Sequence, residues 1–303
     1  MNNTTELILR LKEKEDATIL AHFYQTMDIQ NVADIVGDSL KLSLEAMKLK
    51  SNLIIFCGVY FMAEQAAVLN PSIPVLIPDK DAICPLANML SIDDIVHARK
   101  KYPNSPLVLY VNSKAIHKAY ADYIVTSANA VDTINEIPND TIIFGPDKNL
   151  AEHVAEKTGK KIIPIPPHGH CPVHVKFTNT DVTAFKNKEY SIIVHPECNA
   201  SIRRTSDFVG STGQMYRYIQ KTDKKRIAIG TEVGFVDKTK KDLPSILIEP
   251  LRKDAICENM KKITLQKLLL SLKQKVYRVY IDPQIAKRVR SALDRTFKLL
   301  GII

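Results

Sequence analysis

Short aliphatic and β-branched runs recur along the chain, and three of them end in polar residues spaced two apart. Ile19-Leu20-Ala21 leads into His22-Phe23-Tyr24, Leu107-Val108-Leu109 into Tyr110-Val111-Asn112, and Ile192-Ile193-Val194 into His195-Pro196-Glu197. None alternates apolar with polar positions, so each predicts a strand covered on both faces. A second set of runs ends in glycine: Ile54 to Gly58, Ile142 to Gly145 and Ile227 to Gly230. A third comprises Val75 to Pro78, Ile162 to Ile165 and Ile246 to Glu249. Helix-length stretches, such as Ser39 to Lys50 and Met62 to Asn70, lie between the runs.

The runs fall in register with a further pair, an Asp followed five positions later by a hydroxyl residue: Asp34 and Ser39, Asp122 and Ser127, Asp207 and Thr212. The strand-end residues and these pairs both step by 88 and then 85 positions (His22 to Tyr110 to His195; Asp34 to Asp122 to Asp207). Four features in register define three homologous segments. Strand and helix alternating within each predict βαβ units, right-handed crossovers and a small parallel sheet between helices. Ligands of such sheets bind outside the carboxyl ends of the strands. The repeated polar residues are all expected there.

The cysteines follow the same step. Asp81-Ala82-Ile83-Cys84 returns as Asp254-Ala255-Ile256-Cys257, and Cys171 in His168-Gly169-His170-Cys171 lies between, 87 residues after the first and 86 before the last. The expected fold is therefore α/β: three homologous three-layer αβα domains with small parallel sheets, in a pseudo-threefold arrangement around a central cluster. The expected borders are 1–100 (with an N-terminal helix), 101–185 and 186–272, with a C-terminal helical extension over 273–303. In that extension Asp282 and Pro283 mark a helix start, and Ile285, Val289, Ala292, Leu293 and Leu300 form its apolar face.

Three thiolates meeting at one point can hold zinc or an iron–sulfur cluster. A symmetric, sulfur-only set favours a [4Fe–4S] cluster with three cysteine ligands and one open iron site acting as a Lewis acid. A His/Cys zinc site in the middle segment alone, built from Cys171 with His168, His170 and His174, is the rival, the histidines being otherwise at the surface or just behind the ligands. His22, Tyr24, Tyr110, Asn112, His195 and Glu197 would ring the centre. Ser39, Ser127 and Thr212 would stand at helix N-termini suited to carboxylates and phosphates. Cys57 and Cys198 lie off the repeat and read as buried, inert thiols.

Composition narrows this little. The 303 residues carry a formal charge of +9, but the basic residues are dispersed, so nucleic acid is not expected as a partner. No run of 18 apolar residues predicts a membrane span. Met1 to Arg10 lacks the pattern of a secretory signal, so a cytoplasmic location and reduced thiols are expected.

The residues resemble the quinolinate synthase family, iron–sulfur enzymes of bacterial and archaeal NAD biosynthesis. The likeness covers nearly the whole chain. It is carried by Ala21-His22-Phe23-Tyr24-Gln25, Ala33-Asp34-Ile35-Val36-Gly37-Asp38-Ser39, Gly58-Val59-Tyr60-Phe61-Met62-Ala63-Glu64 and Tyr110-Val111-Asn112. Thr126-Ser127-Ala128-Asn129-Ala130, Pro146-Asp147-Lys148-Asn149-Leu150, His195-Pro196-Glu197-Cys198 and Gly230-Thr231-Glu232-Val233-Gly234 continue it.

The resemblance implies a transferase that condenses iminosuccinate with dihydroxyacetone phosphate to quinolinate, with loss of phosphate and two waters. It implies Cys84, Cys171 and Cys257 as ligands of one [4Fe–4S] cluster, and His22, Ser39, Ser127, His195 and Thr212 as the carboxylate- or phosphate-binding set. Tyr24 and Glu197 look like the acid–base pair, with Tyr110 and Asn112 positioning substrate. An L-aspartate oxidase or aspartate dehydrogenase would supply the iminosuccinate. The chain departs from the family in having no tryptophan before the second cysteine. It also has Leu251 and Asp254 where some members carry a Cys-x-x-Cys-x-x-Cys run, so no thiol switch is expected.

Overall fold

The structure is a computed structural model describing residues 3–303; Met1 and Asn2, at the head of the first expected domain, lie outside the described residues. Strands β1 (Ala17–His22), β2 (Ile35–Gly37), β3 (Leu53–Cys57) and β4 (Val75–Leu76) make the first sheet. β5 (Leu107–Tyr110), β6 (Tyr123–Val125), β7 (Thr141–Gly145) and β8 (Lys161–Pro164) make the second. β9 (Ser191–Val194), β10 (Phe208–Val209), β11 (Arg226–Gly230) and β12 (Leu247–Pro250) make the third. All pairings within the sheets are parallel, and the orders β2-β1-β3-β4, β6-β5-β7-β8 and β10-β9-β11-β12 are one topology used three times. The central strands β3, β5 and β9 are buried at every position, as continuous apolar runs require when helices cover both faces.

Helix bounds differ slightly from expectation. The first crossover helix, Ser39–Ala46, stops four residues before Lys50, and the next, Tyr60–Leu69, starts two residues before Met62. The early start has a cause: the Tyr60 N–H donates to Ala82 O at 2.8 Å, so its amide is satisfied outside the helix.

The repeated aspartates are a correction. Asp34, Asp122 and Asp207 sit at the amino ends of β2, β6 and β10, away from the carboxyl ends where the spacing placed them. Each carboxylate accepts the backbone N–H of the neighbouring first strand: Ile19 at 2.8 Å, Leu107 at 2.7 Å and Ile192 at 2.6 Å. Each backbone N–H donates to that same residue's carbonyl. The three are therefore register clamps, pairing amides that the short second strands leave over.

The C-terminal segment spans two units. Tyr277 and Val279 donate to Ile77 O and Val75 O along the outer side of β4. Asp282 then caps the helix Pro283–Leu299 by accepting from Gln284 and Ile285 N–H. Its expected face is confirmed for Val289, Ala292 and Leu293, which with Phe297 are buried against Leu107, Ile124 and Ile143 of the second sheet. Thr296 Oγ1 accepts the Ile124 N–H at 3.0 Å, and Arg295 donates to Asp122 O and Ala121 O beside β6.

Arg203 joins the second and third units. Its side chain is 2% exposed; it donates to Cys198 O at 2.7 Å and pairs with Glu152 and Glu156 on the helix Lys148–Thr158. Arg203→Ala removes the buried donor to Cys198 O and both inter-unit pairs and is expected to cost roughly 2 kcal/mol, read as a lower urea midpoint with unchanged slope. His117 and His153 are buried away from the cysteines, and burial pulls both down to about 4. The unfolded chain binds their protons from about pH 6.5 downward while the folded chain does not, so stability is lost on acidification. A Tm that falls between pH 7 and pH 5, with a shallower slope in His117→Gln/His153→Gln, is the expected result.

Candidate active site

The carboxyl ends of β1, β5 and β9 face one pocket with about 630 Å³ of space between its lining atoms, part of it open to solvent. His22, Tyr24, Tyr110, Asn112, His195 and Glu197 all line it, and so do Ser39, Ser127 and Thr212. Ser39 and Thr212 are the first helical residues behind the caps Asp38 and Ser211. Ser127 is different: it lies in a turn held by Asn129 Oδ1, which accepts Thr126 N–H at 2.7 Å, ahead of the helix Ala130–Glu136.

Two histidines share a local device. His22 Nδ1 accepts the Tyr24 N–H at 3.2 Å, and His195 Nδ1 accepts the Glu197 N–H at 3.3 Å. A backbone amide only donates, so Nδ1 is bare and Nε2 carries the proton in both rings. His195 Nε2–H thereby donates to Ser127 Oγ at 3.1 Å. Burial, helped by Lys261 at His22 and by His174 at His195, pulls both rings down to about 3. They are neutral hydrogen-bond donors at physiological pH.

Cys84, Cys171 and Cys257 line the same pocket, and no cysteine is disulfide-bonded among the described residues. Cys84 stands just ahead of the helix Pro85–Met89 and Cys257 just ahead of Glu258–Lys261, neither side chain capping it, while Cys171 precedes the single turn His174–Lys176. Nearby backbone N–H groups favour each thiolate against burial: Ala87 and Leu86 at Cys84, His174 at Cys171, Met260 and Asn259 at Cys257. Burial pushes the Cys84 thiol up to about 12, and Cys257 and Glu197 add to it. Burial, then Glu197, then the other two cysteines push Cys171 well above the usual range. The three sulfurs are close enough to repel as thiolates. Cys57 and Cys198, by contrast, are fully buried, with burial raising both thiols.

A line of polar contacts crosses the pocket wall, hydrogen-bonded from Tyr24 to His174 and closed at Glu197 by a short charge contact. His174 Nδ1 lies 2.6 Å from Glu197 Oε2, His174 Nε2 lies 2.9 Å from Thr231 Oγ1, and Thr231 Oγ1 lies 2.7 Å from Tyr24 OH. Burial pulls Glu197 upward, but the neighbouring His174 outweighs it and holds the carboxyl at about 2. Burial and the Glu197 charge raise the Tyr24 and Tyr110 phenols. Glu197 lines this pocket, and its Oε1 is buried with no hydrogen-bond partner among the described residues. A hydroxyl, an imidazole and a carboxylate in line can move and hold a proton.

Sequence reasoning did not single out Thr231, Asp38, Asp147 or Glu232. It placed His174 with His168 and His170 at the surface or just behind the ligands; His174 is 1% exposed and lies in the line, while His168 is exposed. Asp38 accepts from Ser211 Oγ and Gly213 N–H, joining first and third units at the pocket wall. Cys171 Sγ with His174 and Glu197 also forms a group whose ligand atoms all lie within 4.8 Å, able to hold a metal ion.

Fold and site together define a three-unit α/β protein with a metal-capable pocket and acid–base groups where the units meet. The family model described as quinolinate synthetase A protein matches residues 6–298, and the chain belongs to that family. It is 49% identical over 294 residues to a quinolinate synthase of Pyrococcus furiosus, covering 96% of each chain. It is 45% identical over 296 residues to that of Thermotoga maritima, covering 97% of this chain and 99% of that one. It is also 45% identical over 302 residues to that of Methanothermobacter thermautotrophicus, covering 99% of each.

The Cys171 loop touches the turn after β7 so closely that a Cβ on Gly169 would lie 1.8 Å from Pro146 O. Gly169→Ala must therefore displace the loop. In the metal-free chain, faster alkylation of Cys171 than of Cys84, relative to wild type, is the expected outcome; equal rates would show that the contact does not place the cysteine.

Proposed function

We propose that the chain is a quinolinate synthase of NAD biosynthesis, condensing iminosuccinate with dihydroxyacetone phosphate and releasing phosphate and two waters. The observation that carries this reading is the meeting, in one pocket, of three repeat-related cysteines with the line from Glu197 to Tyr24. Cys84, Cys171 and Cys257 would hold one [4Fe–4S] cluster. The donor set fits it: three thiols, partly exposed at the pocket and disfavoured as anions by their surroundings, gain from a cationic centre. Bound there, the cluster would supply an open, Lewis-acidic iron for a substrate oxygen.

The chain's own residues do the rest. The Nε2–H groups of His22 and His195 and the hydroxyls of Ser39, Ser127 and Thr212 bind substrate carboxylates and phosphate, aided by the helix starts behind Asp38 and Ser211. Tyr110 and Asn112 orient the bound substrate from the end of β5. Tyr24 and Glu197 are the acid–base pair: Thr231 and His174 carry a proton between them, and the Glu197 carboxylate steadies the imidazolium that forms. Each expected domain contributes one cysteine and one strand end, so the reaction needs all three.

No helix among the described residues is long and apolar enough to cross a membrane. We place the enzyme in the cytoplasm, beside an L-aspartate oxidase or aspartate dehydrogenase, because iminosuccinate hydrolyses readily and needs a nearby source. The second reading is a single metal ion on Cys171, His174 and Glu197, favoured by their short mutual distances. Against it, both His174 ring nitrogens already face partners, Glu197 and Thr231.

Anaerobically purified chain is expected to hold about four iron and four sulfide and to form quinolinate from the two substrates. One zinc without sulfide would replace the cluster reading with the single-ion one. Cys171→Ser is expected to lose the iron while the far-UV circular dichroism stays unchanged. Thr231→Val, which breaks the line but spares the cysteines, is expected to keep its iron and lose about 10²-fold in kcat.

A further inference from the structure

Each cysteine loop is tied to the turn that follows the third strand of its own sheet. The N–H groups of Tyr60, Lys148 and Val233 donate to Ala82 O at 2.8 Å, Gly169 O at 2.9 Å and Ala255 O at 3.0 Å. Those three carbonyls stand two residues before Cys84, Cys171 and Cys257. In the second and third units a side chain adds a further tie. Asp147 Oδ2 accepts the Cys171 N–H at 3.0 Å while Oδ1 accepts the Leu150 N–H at 2.8 Å. Glu232 Oε1 accepts the Cys257 N–H at 3.2 Å while Oε2 accepts the Gly234 N–H at 2.7 Å. The first unit has Val59 at this place and no such bond.

Both carboxylates are fully buried, at 0% exposure. Capping a helix needs no buried acid; Ser or Asn serves. A carboxyl group instead offers two separate oxygens, so it can receive an N–H on either side. An amide in its place would satisfy one N–H and present its own NH₂ to the other. The residue type therefore answers the two-sided task, one end on the helix start and the other on a cysteine.

We propose that Asp147 and Glu232 are positioning residues of the metal centre. Each fixes the backbone of its cysteine, and with it the Cα–Cβ direction that aims Sγ into the pocket. The inference rests on the reading of Cys84, Cys171 and Cys257 as ligands of one cluster. Glu232 is also held by Lys261, whose Nζ lies 2.8 Å from Oε1 and donates to Tyr24 O at 2.6 Å. Asp147 is thus the cleaner test, and Glu232 extends the same clamp to the strand end of the first unit.

The experiment compares wild type, Asp147→Asn and Glu232→Gln, purified anaerobically and reconstituted with iron and sulfide. Wild-type iron and sulfide content tests the cluster reading by itself: a wild type that takes up none sinks that reading, and this inference with it. With a loaded wild type, Asp147→Asn is expected to keep its far-UV circular dichroism yet release iron to a chelator about 10- to 100-fold faster. The electron paramagnetic resonance spectrum of its reduced cluster is expected to differ from wild type. In the metal-free chains, Asp147→Asn should speed alkylation at Cys171 alone and Glu232→Gln at Cys257 alone. Wild-type release rates and spectra in both variants would overturn the inference, as would equal acceleration at all three cysteines, the mark of general loosening. Should Asp147→Asn fail to fold, Glu232→Gln and Cys257 carry the same test.

Discussion

Each cysteine loop reaches the pocket because the first amide of the helix after the third strand donates to the carbonyl two residues ahead of the cysteine. That bond closes over the carboxyl end of the sheet and fixes where the loop must turn. Everything else in the pocket is arranged around it. The strand ends supply imidazole, phenol and carboxylate groups; the helix starts supply hydroxyls and amides. Three copies of the same bond bring residues as far apart as Cys84 and Cys257 to one cavity, although the shortest sheets contribute strands of only two residues. The local geometry is solved once and reused, which is why the three sheets share one strand order.

The pocket gathers groups that oppose one another. Glu197 raises the thiol of Cys171 and the phenols of Tyr24 and Tyr110, while His174 holds Glu197 itself low. An isolated carboxylate so deeply buried would take up a proton. Here the neighbouring His174 keeps it ionised, and the backbone amides at His22 and His195 fix which nitrogen of each ring carries hydrogen. The charge distribution in the cavity is thus set largely by main-chain direction, which the sheets determine.

Much of this was legible in the sequence because the repeat is spatial as well as linear. Residues that end an apolar run, such as His22 and Glu197, must lie at a strand's carboxyl end, and all of them do line the pocket. Asp34, Asp122 and Asp207 show the limit of that reasoning. Their spacing is as regular as that of the site residues, yet spacing does not say which end of a strand a side chain serves. Asp147 and Glu232 escaped for another reason: one added residue follows Gly145 and Gly230 relative to Gly58, so the first unit offers no matching acid. Thr231 and His174 each belong to a single unit, and only burial and distance reveal their partners.

The C-terminal segment adds nothing to the pocket, yet it lies along β4 with its 277–279 backbone and along β6 with Thr296 and Arg295. Those are outermost strands of two different sheets, with amides and carbonyls otherwise ready to template another chain. A protein lacking the segment would keep every strand and every pocket residue. Its defect would be colloidal rather than chemical: two open edges on each molecule, and self-association that grows with concentration.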